Sequence, residues 1–167
     1  LQDNMIPIRN RKKTLEVTME EMRNFAFAYI EKYAPSKQQL RTYLLKKYLK
    51  ANVPNIKKKD ITDLIDIVLV DLEKSKFISD KFYSESKSRS LIQKGSSINK
   101  IRYYLMGKGI NDHYIKETLE KIKEDNSDQD FFSGIKVCKK KRIGPARAED
   151  NRPLFYKKDI SLLARNG

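Results

Sequence analysis

The fold is decided by two similar segments, Ser36-Lys-Gln-Gln-Leu-Arg-Thr-Tyr-Leu-Leu-Lys-Lys47 and Ser97-Ile-Asn-Lys-Ile-Arg-Tyr-Tyr-Leu-Met-Gly-Lys108, which lie 61 positions apart. Each begins with a serine suited to capping a helix, continues with an apolar residue, an arginine and a Tyr-Leu pair, and ends in lysine. Apolar residues at intervals of three and four are typical of amphipathic helices. An internal repeat of this kind predicts an all-α protein whose small units pack side by side.

The helices that follow these two segments also match, at a displacement of 50 positions. The matching apolar positions are Ile65, Leu69 and Leu72 in the first copy and Ile115, Leu119 and Ile122 in the second. The first copy therefore has about eleven extra residues, 51–61, between its second and third helices. A weaker third copy is indicated by Leu162 to Gly167, which resemble Tyr104 to Gly109.

These matches predict an elongated, curved array of tandem three-helix repeats, each similar to a helix-turn-helix unit. The predicted organisation is a basic N-terminal tail (1–17), repeat 1 (18–76), repeat 2 (77–125) and a truncated repeat 3 (126–167). Single units of this size bury too little apolar surface alone, so neighbours must stack. We expect the truncated third repeat to be the least ordered.

The serine-rich segment from Ser79 to Lys94 has two interpretations. Ser79 is a good N-cap and Gly95 a good helix stop, which favours a helix. In that helix, the small side chains of Ser86 and Ser90 would let another helix approach closely. The scarcity of apolar residues is also compatible with a flexible linker.

Other local signals mark the remaining helix ends and the core. Thr18 with Glu21 and Ser36 with Gln39 form potential capping boxes. Pro153 suits the first turn of a last helix, and Gly109 suits a helix stop. The apolar stripes predict that Tyr29, Tyr43 and Tyr104 lie in the core and that Tyr48 and Tyr103 are exposed.

The charge of the chain is strongly positive, because 36 lysines and arginines outnumber 22 acidic residues and give a net charge of +14. A field of this size attracts polyanions and speeds their association. Nucleic acid, an acidic protein surface and an anionic membrane are all compatible with it. The alternative is a lysine-rich surface that is simply solvated.

Several classes of protein receive no support from the residues present. Cys138 is the single cysteine, so no internal disulfide forms, which fits a reducing cytoplasm. With one histidine, His113, the chain lacks the four ligands of a structural zinc site. No apolar run approaches the ~20 residues of a membrane span, and Leu1 to Met5 resemble no signal peptide. The chain has no glycine-rich phosphate loop and no evident acid-base partner for His113, so we expect neither an enzyme nor a cofactor.

The middle of the chain resembles the RecX family. The resemblance is carried by Ser79-Asp80-Lys-Phe82, Ser84-Glu-Ser86, Arg89, Lys94-Gly95 and Ile101-Arg102-x-x-Leu105-x-x-Lys108-Gly109-Ile110. The first unit fits at Ala26, Tyr29, Ser36, Leu40, Leu44 and Lys47. Ser79 stands where the family often has a second acid, and Ser97 where a glycine is usual. The resemblance covers about residues 22–167 and is poorest in the third unit.

The resemblance implies a monomeric cytoplasmic regulator that binds the filament of the RecA recombinase on DNA. Such proteins mainly inhibit strand exchange, ATP hydrolysis and co-protease activity, in DNA repair, recombination and the SOS response. A basic curved rod suits the groove of a nucleoprotein filament, where it meets acidic protein surface together with phosphate of single- or double-stranded DNA.

Two sets of basic residues are candidate contact sites. The partner-binding candidates either occupy matched positions in the two copies or lie on the serine-rich segment between the copies. They are Arg41, Lys47, Arg89, Lys94, Arg102 and Lys108. The alternative is that they form salt bridges within a repeat or neutralise helix C-termini. The candidate DNA contacts are Lys139, Lys140, Lys141 and Arg142, for which the alternative is a solvated face beside a loop.

Two rival functions remain open at this point. The first is a sequence-tolerant DNA-binding helical repeat protein, whose units enter a major groove as helix-turn-helix motifs do. The second is an adaptor that binds an acidic protein without nucleic acid. Binding to duplex DNA alone distinguishes the first rival from a RecA regulator.

Overall fold

The structure, a computed structural model, describes residues 15–51, 56–125 and 127–166, and these residues form helices, turns and loops without a β-strand. The prediction of an all-α protein is confirmed for them. The α-helices are α1 (Met19–Tyr33), α2 (Lys37–Lys50), α3 (Lys58–Lys74), α4 (Asp80–Gln93), α5 (Ile98–Gly107), α6 (Asp112–Asp125), α7 (Gln129–Lys141) and α8 (Arg152–Arg165). Short 3-10 turns at Gly144–Ala146 and Glu149–Asn151 join α7 to α8. Most of the predicted tail (1–14), part of the extra segment (52–55) and the predicted stop Gly167 lie outside the described residues.

Helices α1, α2 and α3 pack against one another and form the first group. Their shared core includes Met22, Leu40, Leu44 and Ile65, which are fully buried. Tyr48 is also fully buried, so its predicted exposure is wrong. The reason is helical spacing: Tyr48 continues the stripe of Leu40 and Leu44 at intervals of four residues.

Helices α4, α5 and α6 form the second group around a separate core. That core contains Tyr83, Ile101, Leu105, Ile115 and Leu119. Tyr103 points away from it and is 70% exposed, as predicted. Tyr29, Tyr43 and Tyr104 are partly buried against the two cores, in agreement with their expected positions.

Helices α7 and α8, with the turns between them, form the third group. Its buried residues include the polar side chains of Gln129, Ser133 and Asp159, whereas Leu154 and Phe131 are largely exposed. The third group therefore has much less apolar packing than the first two.

The helix ends follow the sequence signals closely. Ser36 and Gln39 make the complete predicted capping box. Thr18 accepts a hydrogen bond from the backbone of Glu21, but the Glu21 carboxylate binds the backbone N–H of Glu16 instead of closing the box. Gly95 and Gly109 end α4 and α5 with φ angles of 80° and 72°, a conformation that side chains with a Cβ disfavour.

The serine-rich segment forms helix α4, so the linker interpretation is wrong. Ser84 and Ser88 are the buried serines, whereas Ser86 is exposed. The prediction thus identified close packing by small residues but chose the wrong face. Ser84 and Ser88 are four residues apart and share the α4 face that carries Tyr83 toward the second core.

Within the described residues, no helix combines the length and the apolar character that crossing a membrane requires.

Candidate partner-binding surface

The first and second groups are joined at the N-terminus of α2. The Ser36 hydroxyl donates a hydrogen bond to the backbone carbonyl of Lys108 at 2.7 Å. The backbone N–H of Lys37 donates to the Asp80 carboxylate at 2.8 Å. Burial raises the pKa of Asp80 despite this hydrogen bond. The junction fixes the end of α5, where Lys108 lies, against the start of α2.

The second and third groups are joined by the same pair of bonds. The Ser97 hydroxyl donates to the carbonyl of Asn166 at 3.0 Å, and the N–H of Ile98 donates to the Asp130 carboxylate at 2.8 Å. This junction has additional bonds, because the Gln129 amide donates to the carbonyl of Ser96 and the Ser133 hydroxyl donates to the carbonyl of Gly95, both in the turn after α4. The same two contacts therefore recur along the chain.

Arg41 is already engaged within the first group. Its guanidinium donates two hydrogen bonds to the two carboxylate oxygens of Asp66 on α3, at 2.7 and 3.0 Å. These bonds raise the pKa of Arg41 and lower the pKa of Asp66. Arg41 therefore forms a salt bridge within its own repeat, which is the alternative to partner binding that the sequence left open.

Arg102 occupies the matching position on α5 but has a different environment. No acidic group of the described residues lies within ion-pair distance of it. The residue on α6 that corresponds to Asp66 is Lys116, which pairs with Asp112 in its own helix at 3.0 Å. The α5–α6 pair of helices therefore carries two cations where the α2–α3 pair carries a neutral ion pair.

The other candidate residues are held at the ends or on the outer faces of helices. The Lys47 ammonium lies 3.7 Å from the centre of the Phe25 ring, and that of Lys108 lies 5.3 Å from the centre of the Tyr104 ring. Lys94 is the C-cap of α4. Arg89 is exposed and has no ion pair among the described residues. Among the six candidates, Arg41 and Lys47 are engaged within the first group, and the role of the six as a contact surface stays a prediction.

Arg89 borders a cleft of about 450 Å³ between α4 and α6. The hydroxyl of Ser88 on the same cleft is buried and has no hydrogen-bond partner among the described residues. On this cleft, the Lys121 ammonium lies 2.7 Å from the Glu85 carboxylate. The Lys81 ammonium lies at the same distance from the Glu117 carboxylate. These lysines lower the pKa values of both glutamates.

The ion pairs between α4 and α6 were missed by sequence reasoning. In the first group, the matching contact between α1 and α3 joins Arg23 to Asp71 at 2.6 Å. The second group places the acid, Glu85, on its first helix and the base, Lys121, on its third. Asp71 and Lys121 occupy matched positions 50 apart, so the exchange of an acid for a base is visible there in the sequence. Glu85, however, lies one residue beyond the position that matches Arg23 at the displacement of 61.

The densest free positive charge lies at the end of α7. Lys139, Lys140, Lys141 and Arg142 are all exposed, and none makes an ion pair in the part of the chain that the structure describes. The C-terminus of a helix favours cations, since its unpaired carbonyls carry partial negative charge. Four adjacent cations here can bind phosphate groups or carboxylates.

The loop after this cluster is held by a buried carboxylate. Asp159 accepts hydrogen bonds from Gly144 at 2.9 Å and from Arg147 at 2.7 and 3.0 Å. Arg147 lowers the pKa of Asp159 and also lies 4.3 Å from the centre of the Phe155 ring. Arg147 therefore has a structural role and is not part of the free basic surface.

An apolar groove of about 750 Å³ lies between α7 and α8. Its lining includes Phe131, Ile135, Val137, Cys138 and Leu163. The helices that correspond to α7 and α8 in the second group are α4 and α5, and there α6 packs against both. The third group has no helix in that place within the described residues.

The described residues contain no group of three or more histidine, cysteine or acidic side chains arranged to hold a metal ion. His113 donates its backbone N–H to Asn111 at 3.0 Å and its ring lies beside Tyr114. The chemistry that the surface offers is ionic binding by exposed lysines and arginines.

Comparison with known proteins gives two informative relatives. The chain is 26% identical to the regulatory protein RecX of Myxococcus xanthus over 165 residues, which are 95% of this chain and 85% of the relative. It is 27% identical to the regulatory protein RecX of Clostridium acetobutylicum over 142 residues, which are 84% of this chain and 60% of the relative. No protein-family model and no solved structure matches the chain.

Proposed function

Since the chain belongs to the RecX family, we propose that it regulates the RecA recombinase by binding the RecA filament on DNA. Its main effect is inhibition of strand exchange, ATP hydrolysis and co-protease activity in DNA repair, recombination and the SOS response. The observation that carries this proposal is the similarity to a RecX protein along 95% of the chain. The protein acts in the cytoplasm as a monomer, and it is not an enzyme and needs no cofactor.

The proposed architecture is an elongated, curved array of tandem repeats, 18–76, 77–125 and a truncated 126–167, after a basic tail. The recurring junction supports it, because the same two hydrogen bonds join successive groups. Units joined by one repeated operation form a superhelix. A superhelical rod can follow the groove of a helical filament.

The basic residues supply the attraction to such a filament. Arg41 and Lys47 are engaged within the first group. The partner-binding candidates that remain free, without an ion pair among the described residues, are Arg89, Lys94, Arg102 and Lys108. Lys139 to Arg142 add a concentrated charge suited to phosphate. Attraction of this kind accelerates encounter and weakens as salt rises.

The deciding experiment measures ATP hydrolysis by RecA on single-stranded DNA while this chain is added in substoichiometric amounts. The proposal expects progressive inhibition, because each bound molecule acts on a filament of many RecA subunits. Unchanged hydrolysis under conditions where the chain is folded would contradict it.

Direct DNA binding without RecA is the second candidate function, and the exposed cluster Lys139 to Arg142 favours it. It expects binding to duplex DNA alone at near-physiological salt. Replacing all four residues with glutamine should then flatten the dependence of binding on salt, by roughly one unit of slope for each phosphate that the variant no longer binds. Binding that needs the RecA filament would favour the regulator instead.

A further inference from the structure

We propose that Arg102 and Lys116 together bind a carboxylate from an acidic side chain of the protein partner, in the place that Asp66 fills within the first group. This inference rests on the proposed function and names the chemistry by which the partner is recognised.

The correspondence between the two places is set by the packed helices. Leu40 and Leu44 on α2 match Ile101 and Leu105 on α5, and all four are fully buried. The α3 and α6 helices match in the same way through their buried apolar residues. These are Ile65, Leu69 and Leu72 on α3, and Ile115, Leu119 and Ile122 on α6. Arg41 and Arg102 each follow a matched core residue, as do Asp66 and Lys116.

The first group shows what an arginine in this position does when a carboxylate is available. Arg41 uses Nε and one terminal nitrogen to hold both oxygens of Asp66. Such two-point contact suits the planar guanidinium and is among the stronger polar interactions in proteins. At the matching place in the second group, Arg102 lacks an acidic partner among the described residues, and Lys116 adds a second cation.

The charges near Lys116 leave it available to bind an acidic group of a partner. Its one ion pair within the described residues, to Asp112, joins side chains that are 65% and 67% exposed, and such pairs contribute little stability. Glu117 on the same helix is bound to Lys81 and Lys121. The place therefore keeps a local excess of positive charge, which an external acidic group would neutralise.

A carboxylate is favoured over a phosphate because the matching arginine of the first group already binds one. At the matching place in the same molecule the arginine binds the carboxylate of an aspartate. Acidic side chains of a protein partner present that group.

The test is the substitution Lys116→Asp, which recreates the arrangement of the first group. The introduced carboxylate should pair with Arg102, which offsets the loss of the exposed pair with Asp112, so folding stability should be roughly retained. Affinity for the RecA filament on single-stranded DNA should fall by about tenfold or more, since paired charges no longer attract the partner. Filament binding, binding to the bare DNA and thermal unfolding are measured in parallel.

Two control variants distinguish an effect at this site from an effect on folding and from an effect of net charge. Lys123→Asp makes the same charge change on the same helix and should lower filament affinity much less. Arg41→Gln breaks the internal pair of the first group and should lower stability without a matching loss of affinity. If Lys116→Asp fails to fold, Lys116→Gln tests the same place and should weaken filament binding by a smaller factor.

The outcomes have distinct meanings. Loss of filament affinity with bare-DNA affinity retained supports the carboxylate site. Undiminished filament affinity in folded Lys116→Asp overturns it, and so does an equal loss of affinity for bare DNA, which would indicate phosphate. Absence of filament binding by the unaltered chain overturns the proposed function itself, a result visible before any variant is made.

Discussion

The first group (α1–α3) and the second group (α4–α6) have matching buried positions but different polar contacts. Leu40, Leu44 and Ile65 of the first core have apolar counterparts in the second. In contrast, the first and third helices are joined by Arg23–Asp71 in the first group and by Glu85–Lys121, with the acid and the base on opposite helices, in the second. Arg41 has an acidic partner, whereas Arg102 has none among the described residues. Packing thus fixes which apolar residues recur, while the charged positions are free to differ.

The largest expected effect on stability comes from truncating buried side chains at matched core positions. Leu44→Ala and Leu105→Ala each remove a fully buried side chain, so each should lower the free energy of unfolding by about 2–5 kcal/mol. Denaturant unfolding of the two variants measures this cost. A loss well below that range in one of them would show that the two cores are not equivalent.

The junction serines should have the next largest effect. Ser36→Ala and Ser97→Ala each remove an N-cap and the hydrogen bond to the next group, at an expected cost of about 1–2 kcal/mol. Ser79→Ala removes a cap bond alone, since the Ser79 hydroxyl makes no junction bond to the described residues, and is the matched control. Thermal unfolding should rank Ser79→Ala as the mildest, and an equal cost for all three would mean that the junction bonds contribute nothing.

A smaller effect, on the pH dependence of folding stability, is expected from the ion pair between Arg41 and Asp66 in the first group. Arg41 lowers the pKa of Asp66, so the pair stabilises the fold fully above the ordinary carboxyl pKa. That contribution is lost as pH falls through the lowered pKa of the folded state. Because the pair is partly exposed, we expect less than about 1 kcal/mol. Asp66→Asn should remove this part of the stability difference between pH 7 and pH 3, measured by denaturant unfolding at both pH values.

The smallest effect tests the exchanged charges. Glu85→Lys alone places like charges together and should lower the melting temperature slightly, and combining it with Lys121→Glu should recover part of the loss. The four proteins form a double-mutant cycle measured by thermal unfolding. Strict additivity would show that the pair contributes no coupling, despite its 2.7 Å separation.

Sequence reasoning succeeded where one residue's local role was decisive. The caps at Ser36, Ser79 and Ser97 and the stops at Gly95 and Gly109 depend on hydrogen bonds within a few residues. It failed for Tyr48 and for the buried serines of α4, because those depend on which face of a helix meets its neighbour. A tyrosine or serine suits either face, so its own chemistry does not decide.

The charged contacts were harder to predict for a related reason. Whether Arg41 is free depends on Asp66, which lies 25 residues away and beyond a connecting segment whose length differs between the two copies. Matched positions in the repeat do reveal the difference between Asp66 and Lys116. Its meaning becomes clear only when α2 and α3 are known to be neighbours.

The recurring junction gives the molecule a polarity. In both shared bonds the earlier group supplies the donors, from Ser36 and Lys37 or from Ser97 and Ile98, and the later group supplies the acceptors. The two faces of a group are therefore not interchangeable, so a group inserted in reverse would oppose donor to donor. Three groups joined in this way have distinct first and last ends, and under the proposed function the molecule would lie along a polar filament in one direction only.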